Sequence, residues 1–391
     1  MRKKTKLLIK DAFLSTILSC FLLFILAITI INVRFFNPLH KAFADFSFLD
    51  VYYAYELYDT PQINTDIILV NIENKNRFEI TQLLQAVIEG HPKTIGFDII
   101  LEDQKEPLFV DSMLTNLLNY EHVITSFDFK KEGVIFNHTS FGNTEKSAFI
   151  NFNFDDNTAV IRDFIGNIEV EGKNRLSFAA QITKHYLGDS WQTYNYDKKL
   201  NKIQTIKYSG NYEAFQYLET DDFLDYERKT ILKNKIVILG YLGSPTGNIE
   251  DIQDKFFSPL NKIITGKSDA DMFGIIIHAN IINMLINDNM MFRVSNFWLC
   301  IITFVAMFFS TMFYMKINKK YKISYRTRKQ VFQFVISVTI LTLVLWLYKH
   351  NVVVKPIIII IGIIIAGSYF KYYKHLIRYI KTKRKWKTYL K

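Results

Sequence analysis

The stretch DIILVNIENKNRFEITQLLQAVIEGHPKTIGFDIIL, residues 66–101, decides the fold of the central part of this 391-residue chain. Its first apolar run, residues 67–72, is typical of a buried strand. Apolar side chains then recur at positions 80, 83, 84, 87 and 88, which predicts a helix over 78–89 that stops at Gly90. A second apolar run over 94–101 predicts another strand, so the stretch forms a β-α-β unit with parallel strands and a right-handed crossover.

The alternation of helix and strand patterns continues toward the carboxyl end of the chain. Helices are predicted at 110–118, 176–187 and 275–286, and strands at 123–127, 203–208 and 235–240. Two further segments, 148–154 and 159–164, flank Asp155-Asp156-Asn157 and predict a hairpin. This order favours an α/β domain with a mixed, largely parallel sheet covered on both faces.

Four apolar runs, residues 12–33, 297–315, 331–348 and 352–370, are each about as long as the hydrocarbon core of a bilayer requires. We therefore predict four transmembrane helices. The resulting division is a cytoplasmic basic N-terminus (1–11), transmembrane helices at 12–33, 296–315, 330–348 and 352–370, an extracytoplasmic domain (34–295), a cytoplasmic basic loop (316–329) and a cytoplasmic basic tail (371–391).

The distribution of charge sets the predicted orientation. Residues 12–295 contain 25 basic and 36 acidic side chains, whereas the net charge of the whole chain is +11, so the excess of Lys and Arg flanks the apolar runs. Positively charged segments resist translocation, which places both termini in the cytoplasm. The same placement favours anionic lipid headgroups over nucleic acid as the target of the basic charge. In the tail, aromatic and apolar residues alternate with basic ones, which predicts a helix that continues from the fourth span and lies on the inner leaflet.

The first apolar run has an alternative interpretation as a cleaved signal peptide. It is long for that role and no A-x-A-like site ends it, so we predict an uncleaved anchor. Cys20 and Cys300 are the only cysteines and both lie in predicted spans, which leaves the outer domain without a disulfide or a cysteine metal site.

Carboxylates follow several predicted strands: Glu73, Asp98 and Asp128, with a glycine-containing loop at 240–244. Ligands bind at the carboxyl ends of parallel strands in open α/β sheets, so this group is a candidate ligand pocket. The alternative is structural, because carboxylates at such positions often cap the following helix. Arg162, inside an apolar strand, is expected to pair with Asp163 or Asp156, and His278, on the last helix of the domain, is expected to be packed rather than to bind a ligand.

The motifs of the common enzyme classes are missing from the sequence. Gly266-Lys267-Ser268 lacks the earlier glycine of a phosphate-binding loop, and no zinc-binding histidine pair or nucleophile elbow occurs. We therefore expect no catalytic residues, no metal site, no cofactor and no enzymatic activity.

Several stretches resemble the second class of CHASE domains, the sensory extracellular domains associated with cyclases and histidine kinases. They are DIILVNIENKNRF, LLQAVIEGHPKTIGFDIIL, AVIRDF, RLSFAAQI, NKIVILGYLGS, DKFFSPL and FGIIIHANIINMLI, followed by three apolar runs. The residues that match are Asp98, Arg162, Asp254, Pro259, His278 and Asn280. The chain departs from the family pattern because residues 75–80 lack a W-P-W-x-R-like run and because no output domain follows the last span.

The resemblance implies a sensory protein of the bacterial inner membrane that detects a small molecule or the state of the envelope. The candidate ligand-binding residues are Glu73, Asp98, Arg162, Asp254 and His278. The expected partners are the lipid bilayer, an unidentified extracytoplasmic ligand and an unidentified membrane or cytoplasmic signalling protein, with a homo-oligomer left open. A structural or scaffold subunit of an envelope complex is the alternative function.

Overall fold

The fold is described by a computed structural model that covers residues 2–32, 47–55, 63–130, 133–142, 144–152, 160–224, 229–262, 269–318 and 323–390. The chain divides into two compact units. Residues 50–291 form an α/β unit, and residues 1–49 with 292–391 form a helical unit.

Helices and strands alternate along the described residues. The helices are α1 (Arg2–Asn32), α2 (Phe48–Ala54), α3 (Arg77–Glu89), α4 (Leu108–Leu118), α5 (Phe178–Leu187), α6 (Ser190–Thr193), α7 (Tyr196–Lys199), α8 (Gly274–Ile286), α9 (Asn296–Ile317), α10 (Tyr325–Lys349) and α11 (Pro356–Lys383). The strands are β1 (Asn64–Asn71), β2 (Thr94–Phe97), β3 (Val123–Lys130), β4 (Gly133–Ile135), β5 (Ser147–Phe149), β6 (Asp163–Phe164), β7 (Asn167–Val170), β8 (Lys173–Leu176), β9 (Gln204–Thr205), β10 (Phe215–Leu218), β11 (Ile236–Gly240), β12 (Lys255–Phe256), β13 (Met272–Phe273), β14 (Phe292–Arg293) and β15 (Val352–Val353).

The main sheet of the α/β unit is mixed and largely parallel, as the sequence predicts. Its strand order is β10-β1-β11-β2-β3-β4, with β5 also paired to β3, and only the β3-β4 pair is antiparallel among these strands. One feature differs from the simple β-α-β expectation: β11 lies between β1 and β2, so these two strands are parallel without being neighbours. All five residues of β11 are buried, as expected for a central strand covered on both faces.

Helices cover the two faces of this sheet. On one face, Leu84 and Val87 of α3 pack in a core with Val70, Phe97 and Leu239 of the strands. Burying side chains of this size stabilises the folded state by roughly 1.5–3 kcal/mol each. The other face carries α5 and α8, and Gly96 of β2 lets α5 approach closely, since a Cβ on it would lie 2.5 Å from Ile182 Cδ1.

The predicted hairpin does not pair in the described residues. The segment before it contributes β5, which pairs in parallel with β3, and the segment after it contributes β6, which pairs with β9. The expected turn, Asp155-Asp156-Asn157, lies outside the described residues, as does Gly266-Lys267-Ser268.

The helical unit contains four helices that are long and apolar enough to cross a membrane: α1, α9, α10 and α11. Small residues allow α9 and α11 to pack closely, because a Cβ on Gly362 would lie 2.8 Å from Thr303 Cγ2. The helix of the fourth predicted span begins at Pro356 rather than 352, since residues 352–353 pair with β14 and proline favours the first position of a helix.

The tail differs in part from its predicted helix. Helix α11 continues to Lys383, but residues 384–390 leave the helix and return to α1. There the buried carboxylate of Asp11 accepts hydrogen bonds from Tyr373 Oη at 3.1 Å, Thr388 Oγ1 at 2.5 Å and the Tyr389 amide at 2.6 Å. Three donors to one carboxylate hold this segment against α1.

Candidate functional site

Three neighbouring parallel strands of the α/β unit end at the same edge of the sheet. Asn71 of β1 is paired in register with Gly240 of β11, and Leu239 of β11 with Phe97 of β2. The loops that follow these strands therefore start side by side, which is the arrangement that forms ligand crevices in open α/β sheets.

Asp98 and Asp254 meet at this edge. Asp98 directly follows β2, whereas Asp254 directly precedes β12. Burial raises the pKa of Asp98 well above its ordinary value, and the negative charge of Asp254 raises it further. Burial also raises the pKa of Asp254. Two carboxyl groups in this position hold a proton, or attract a cation, more readily than a carboxyl group in water.

The placement of the Asp254 carboxylate explains how a residue that is exposed overall can carry a shielded acid. Much of the residue is open to solvent. Its carboxylate oxygens nevertheless turn inward, lying 3.2 and 3.3 Å from the position that a Cβ on Gly274 would occupy. The neighbouring protein atoms, rather than the overall exposure of the residue, therefore set the environment of the acid.

Glycines make room for both carboxyl groups. A Cβ on Gly240 would lie 3.3 Å from the Asp98 Cβ, and one on Gly274 would crowd the Asp254 oxygens. Gly274 is the first residue of α8 and its amide donates to the Asp254 carbonyl at 3.0 Å. The carboxylate of Asp254 thus lies beside the amino-terminal end of a 13-residue helix, where the helix dipole favours negative charge.

The loop that borders the pair is held by Asn71, a residue whose role the sequence does not reveal. Its side-chain amide donates to the Gly243 carbonyl at 2.7 Å and to Thr246 Oγ1 at 2.8 Å. Its carbonyl oxygen accepts from the Leu242 amide at 2.9 Å. The sequence shows only an asparagine at the end of a predicted strand. Its partners come from the loop that follows β11, which is distant in the sequence.

The other candidate residues have contacts of their own. Glu73 forms an ion pair with Lys75 at 2.8 Å. Arg162 pairs with Asp50 through two contacts of 2.7 Å, rather than with the predicted Asp163, which accepts from Thr205 Oγ1 instead. The other predicted partner, Asp156, is outside the described residues.

His278 is enclosed by aromatic rings. It is 2% exposed, and its ring lies 4.4 Å from that of Phe152 and 5.0 Å from that of Phe178. Burial lowers the pKa of His278 to about 3, so the ring is neutral, and its Nδ1 has no hydrogen-bond partner among the described residues. His278 is therefore a packed side chain in the interior, the environment that we expected from the sequence.

No group of three or more His, Cys, Asp or Glu side chains that could hold a metal ion occurs in the part of the chain that the structure describes. The site is therefore best described as a carboxyl pair beside a glycine-lined loop and a helix start.

The mixed sheet and the four apolar helices define the class of protein: a membrane protein with one α/β domain. Within that class, the chain belongs to the CHASE2 domain family, whose model matches residues 22–313, well over half of the chain. This confirms the resemblance seen in the sequence. CHASE2 domains are extracellular sensory domains of signalling proteins, so the chain has a sensory role. No curated protein and no solved structure matches the sequence significantly.

Proposed function

We propose that this chain is the sensory component of a bacterial signalling system and resides in the inner membrane. Residues 34–295 lie outside the cytoplasm and both termini lie inside. The outer domain detects a small molecule or the state of the envelope, and a separate membrane or cytoplasmic protein produces the output. The chain itself carries out no catalysis.

The observation that carries this proposal is the position of the Asp98–Asp254 pair at the start of α8. Helix α8 ends at Ile286, and only residues 287–295 separate it along the chain from α9, the second candidate span. A ligand or proton that changes the charge of the pair acts on the first turn of α8. Because the two helices are joined by so short a segment, a change in α8 has a direct covalent route to the membrane.

Response measurements in cells test the proposal. Deletion of the gene with transcript profiling first defines the response that depends on this chain. Asp98→Asn and Asp254→Asn are then compared with the matched control Asp128→Asn, which alters a carboxylate at the same edge of the sheet that accepts from Asn151 at 2.7 Å. We expect the pair variants to change the response while the partner still co-purifies, and the control to behave as the unmodified protein does.

The scaffold alternative gives a different outcome in the same experiment. Loss of partner assembly in the Asp98 and Asp254 variants favours a structural subunit. Reporter fusions at position 200 test the orientation, and activity of a cytosolic reporter at that position contradicts the proposal.

A further inference from the structure

A cavity of about 470 Å³ opens between the loops that follow β1 and β2, at the starts of α3 and α4. Neither Asp98 nor Asp254 contributes to its wall. Its wall combines three basic side chains with an apolar surface, and the residues that matter are Lys75, Arg77, Lys105, Ile80, Ile99 and Val110. The volume falls within the range of pockets that bind small organic molecules.

The guanidinium of Arg77 is held in a fixed position in this wall. Its Nη1 donates to the Asp103 carbonyl at 2.7 Å and to both carboxylate oxygens of Asp111, at 3.0 and 3.1 Å. The Asp111 side chain is 3% exposed and also accepts from the Lys105 amide at 2.8 Å, so its own orientation is fixed. The guanidinium carbon lies 5.3 Å from the centre of the Phe141 ring.

These contacts use one nitrogen of the guanidinium. Among the described residues, every hydrogen bond that Arg77 donates from its side chain comes from Nη1. Nε and Nη2 therefore keep donors for a second acceptor, and a guanidinium that is already ordered loses little freedom when it binds one.

An ion pair that only joins α3 to α4 would account for Arg77 and Asp111, but not for the other basic groups. The wall carries one acidic side chain, Glu106, against the three basic ones. Lys75 is paired with Glu73 at 2.8 Å, whereas the exposed ammonium of Lys105 has no acceptor within the described ranges. The lining thus combines an excess of cationic side chains with apolar ones.

We infer that this cavity binds a small organic anion: a carboxylate, sulfonate or similar group against Arg77 and Lys105, carried on an apolar body that packs on Ile99 and Val110. Charge-assisted contacts to guanidinium and ammonium favour the anion over a neutral analogue. Burial of the ring or chain against the aliphatic wall adds the hydrophobic contribution. This inference rests on the proposed sensory function and gives the chemical class of its ligand.

The test uses the full chain in lipid nanodiscs with benzoate and benzenesulfonate as probes, and measures their binding by ligand-observed NMR. Benzamide and benzylammonium are the neutral and cationic controls of similar size. We expect the anions to bind at least about tenfold more tightly than either control, the factor that corresponds to roughly 1.4 kcal/mol. Absence of anion binding, or equal binding of benzamide, overturns the inference.

Lys105→Glu locates the binding site, because Lys105 is exposed and its replacement leaves the Arg77–Asp111 pair in place. Lys202 is another exposed lysine in the same unit, so Lys202→Glu makes the identical charge change and serves as the control. We expect Lys105→Glu to weaken benzoate binding about tenfold and Lys202→Glu to leave it unchanged. Equal affinities for the two variants overturn the assignment of the site.

Arg77→Lys provides a second variant that keeps the charge beside Asp111 but removes the fork of donors. Its thermal midpoint is measured alongside its binding, so a loss of folding is separated from a loss of affinity.

Failure of the inference and failure of the proposed function are also distinguishable. Anion binding without any cellular response contradicts the proposed function alone, and a response that depends on Asp98 and Asp254 without anion binding contradicts this inference alone.

Discussion

Asp98 and Asp254 are far apart in the sequence of the α/β unit, yet the charge of Asp254 raises the pKa of Asp98 at the carboxyl edge of the sheet. Each acid is shielded by protein atoms, and together they favour the protonated state of the pair. The folded state therefore binds protons at this edge that the unfolded chain releases.

Stability is expected to fall as pH rises through the range in which this pair titrates. The pKa of Asp254 is raised to about 7 from an ordinary value of 3.8, so its contribution is fully present below pH 3.8 and is lost as pH approaches 7. Asp254→Asn is neutral at every pH, so we expect it to stabilise the protein at pH 8 and to have little effect at pH 4. The difference in thermal midpoint between the unmodified protein and the variant, measured from pH 4 to 8, checks this. A difference that stays constant across that range is incompatible with a shared titration.

The Arg162–Asp50 pair is expected to be important for stability. Both side chains are largely buried, at 11% and 7% exposure, and they share two contacts of 2.7 Å. Asp50→Asn removes the carboxylate that makes two contacts with a buried guanidinium, which costs about 3–5 kcal/mol of unfolding free energy. Denaturant unfolding of the full chain measures the change, and Glu89→Gln, which breaks the more exposed pair with Lys229, is the control with an expected cost under about 1 kcal/mol. Similar costs for the two variants would mean that Arg162 is adequately solvated without Asp50.

Asp11 is expected to hold the carboxyl-terminal segment against α1. Asp11→Ala removes the acceptor of the Thr388 and Tyr389 hydrogen bonds, while Ser15→Ala changes a buried hydroxyl on the same helix that has no partner among the described residues. Trypsin cleaves after the basic residues at 383–387, so the rate of cleavage of the detergent-solubilised protein reports whether the segment is released. We expect cleavage of the Asp11 variant to be several-fold faster, as loss of charge-assisted hydrogen bonds implies. Identical cleavage of both variants would show that the segment is held by other contacts.

Close packing of α9 and α11 depends on Gly362. A valine there brings a Cβ to within 2.8 Å of Thr303 Cγ2, the methyl group of a short β-branched side chain that is stiff at χ1, and to within 3.2 Å of Met307 Cγ. We expect Gly362→Val to destabilise the helical unit by about 1–3 kcal/mol, as overpacking does in well-packed interiors. Unfolding in detergent mixtures measures the effect, with Ile361→Val at a 42% exposed position as the control. An unchanged unfolding curve for Gly362→Val would show that the helices separate readily.

The sequence determined the classes of structure in this protein because those depend on local patterns. The helical period of apolar residues predicts α3 between β1 and β2 along the chain, and the long apolar runs predict the four candidate spans. Both predictions depend only on which residues lie near one another in the sequence. The family resemblance likewise rests on short contiguous stretches. The predicted start of the fourth span was less accurate, because α11 begins at Pro356 and not at residue 352.

Only the tertiary structure decided which distant residues meet. The insertion of β11 between β1 and β2 brings Asn71 to the loop at 242–246, and the β12-β13 ribbon brings Asp254 to Gly274. Arg162 directly precedes β6 and pairs with Asp50, whereas its sequence neighbour Asp163 accepts a hydrogen bond from Thr205 Oγ1. Strand order and ion pairing are properties of the whole packed domain, so no local pattern specifies them, and the candidate site is assembled only when the sheet is complete.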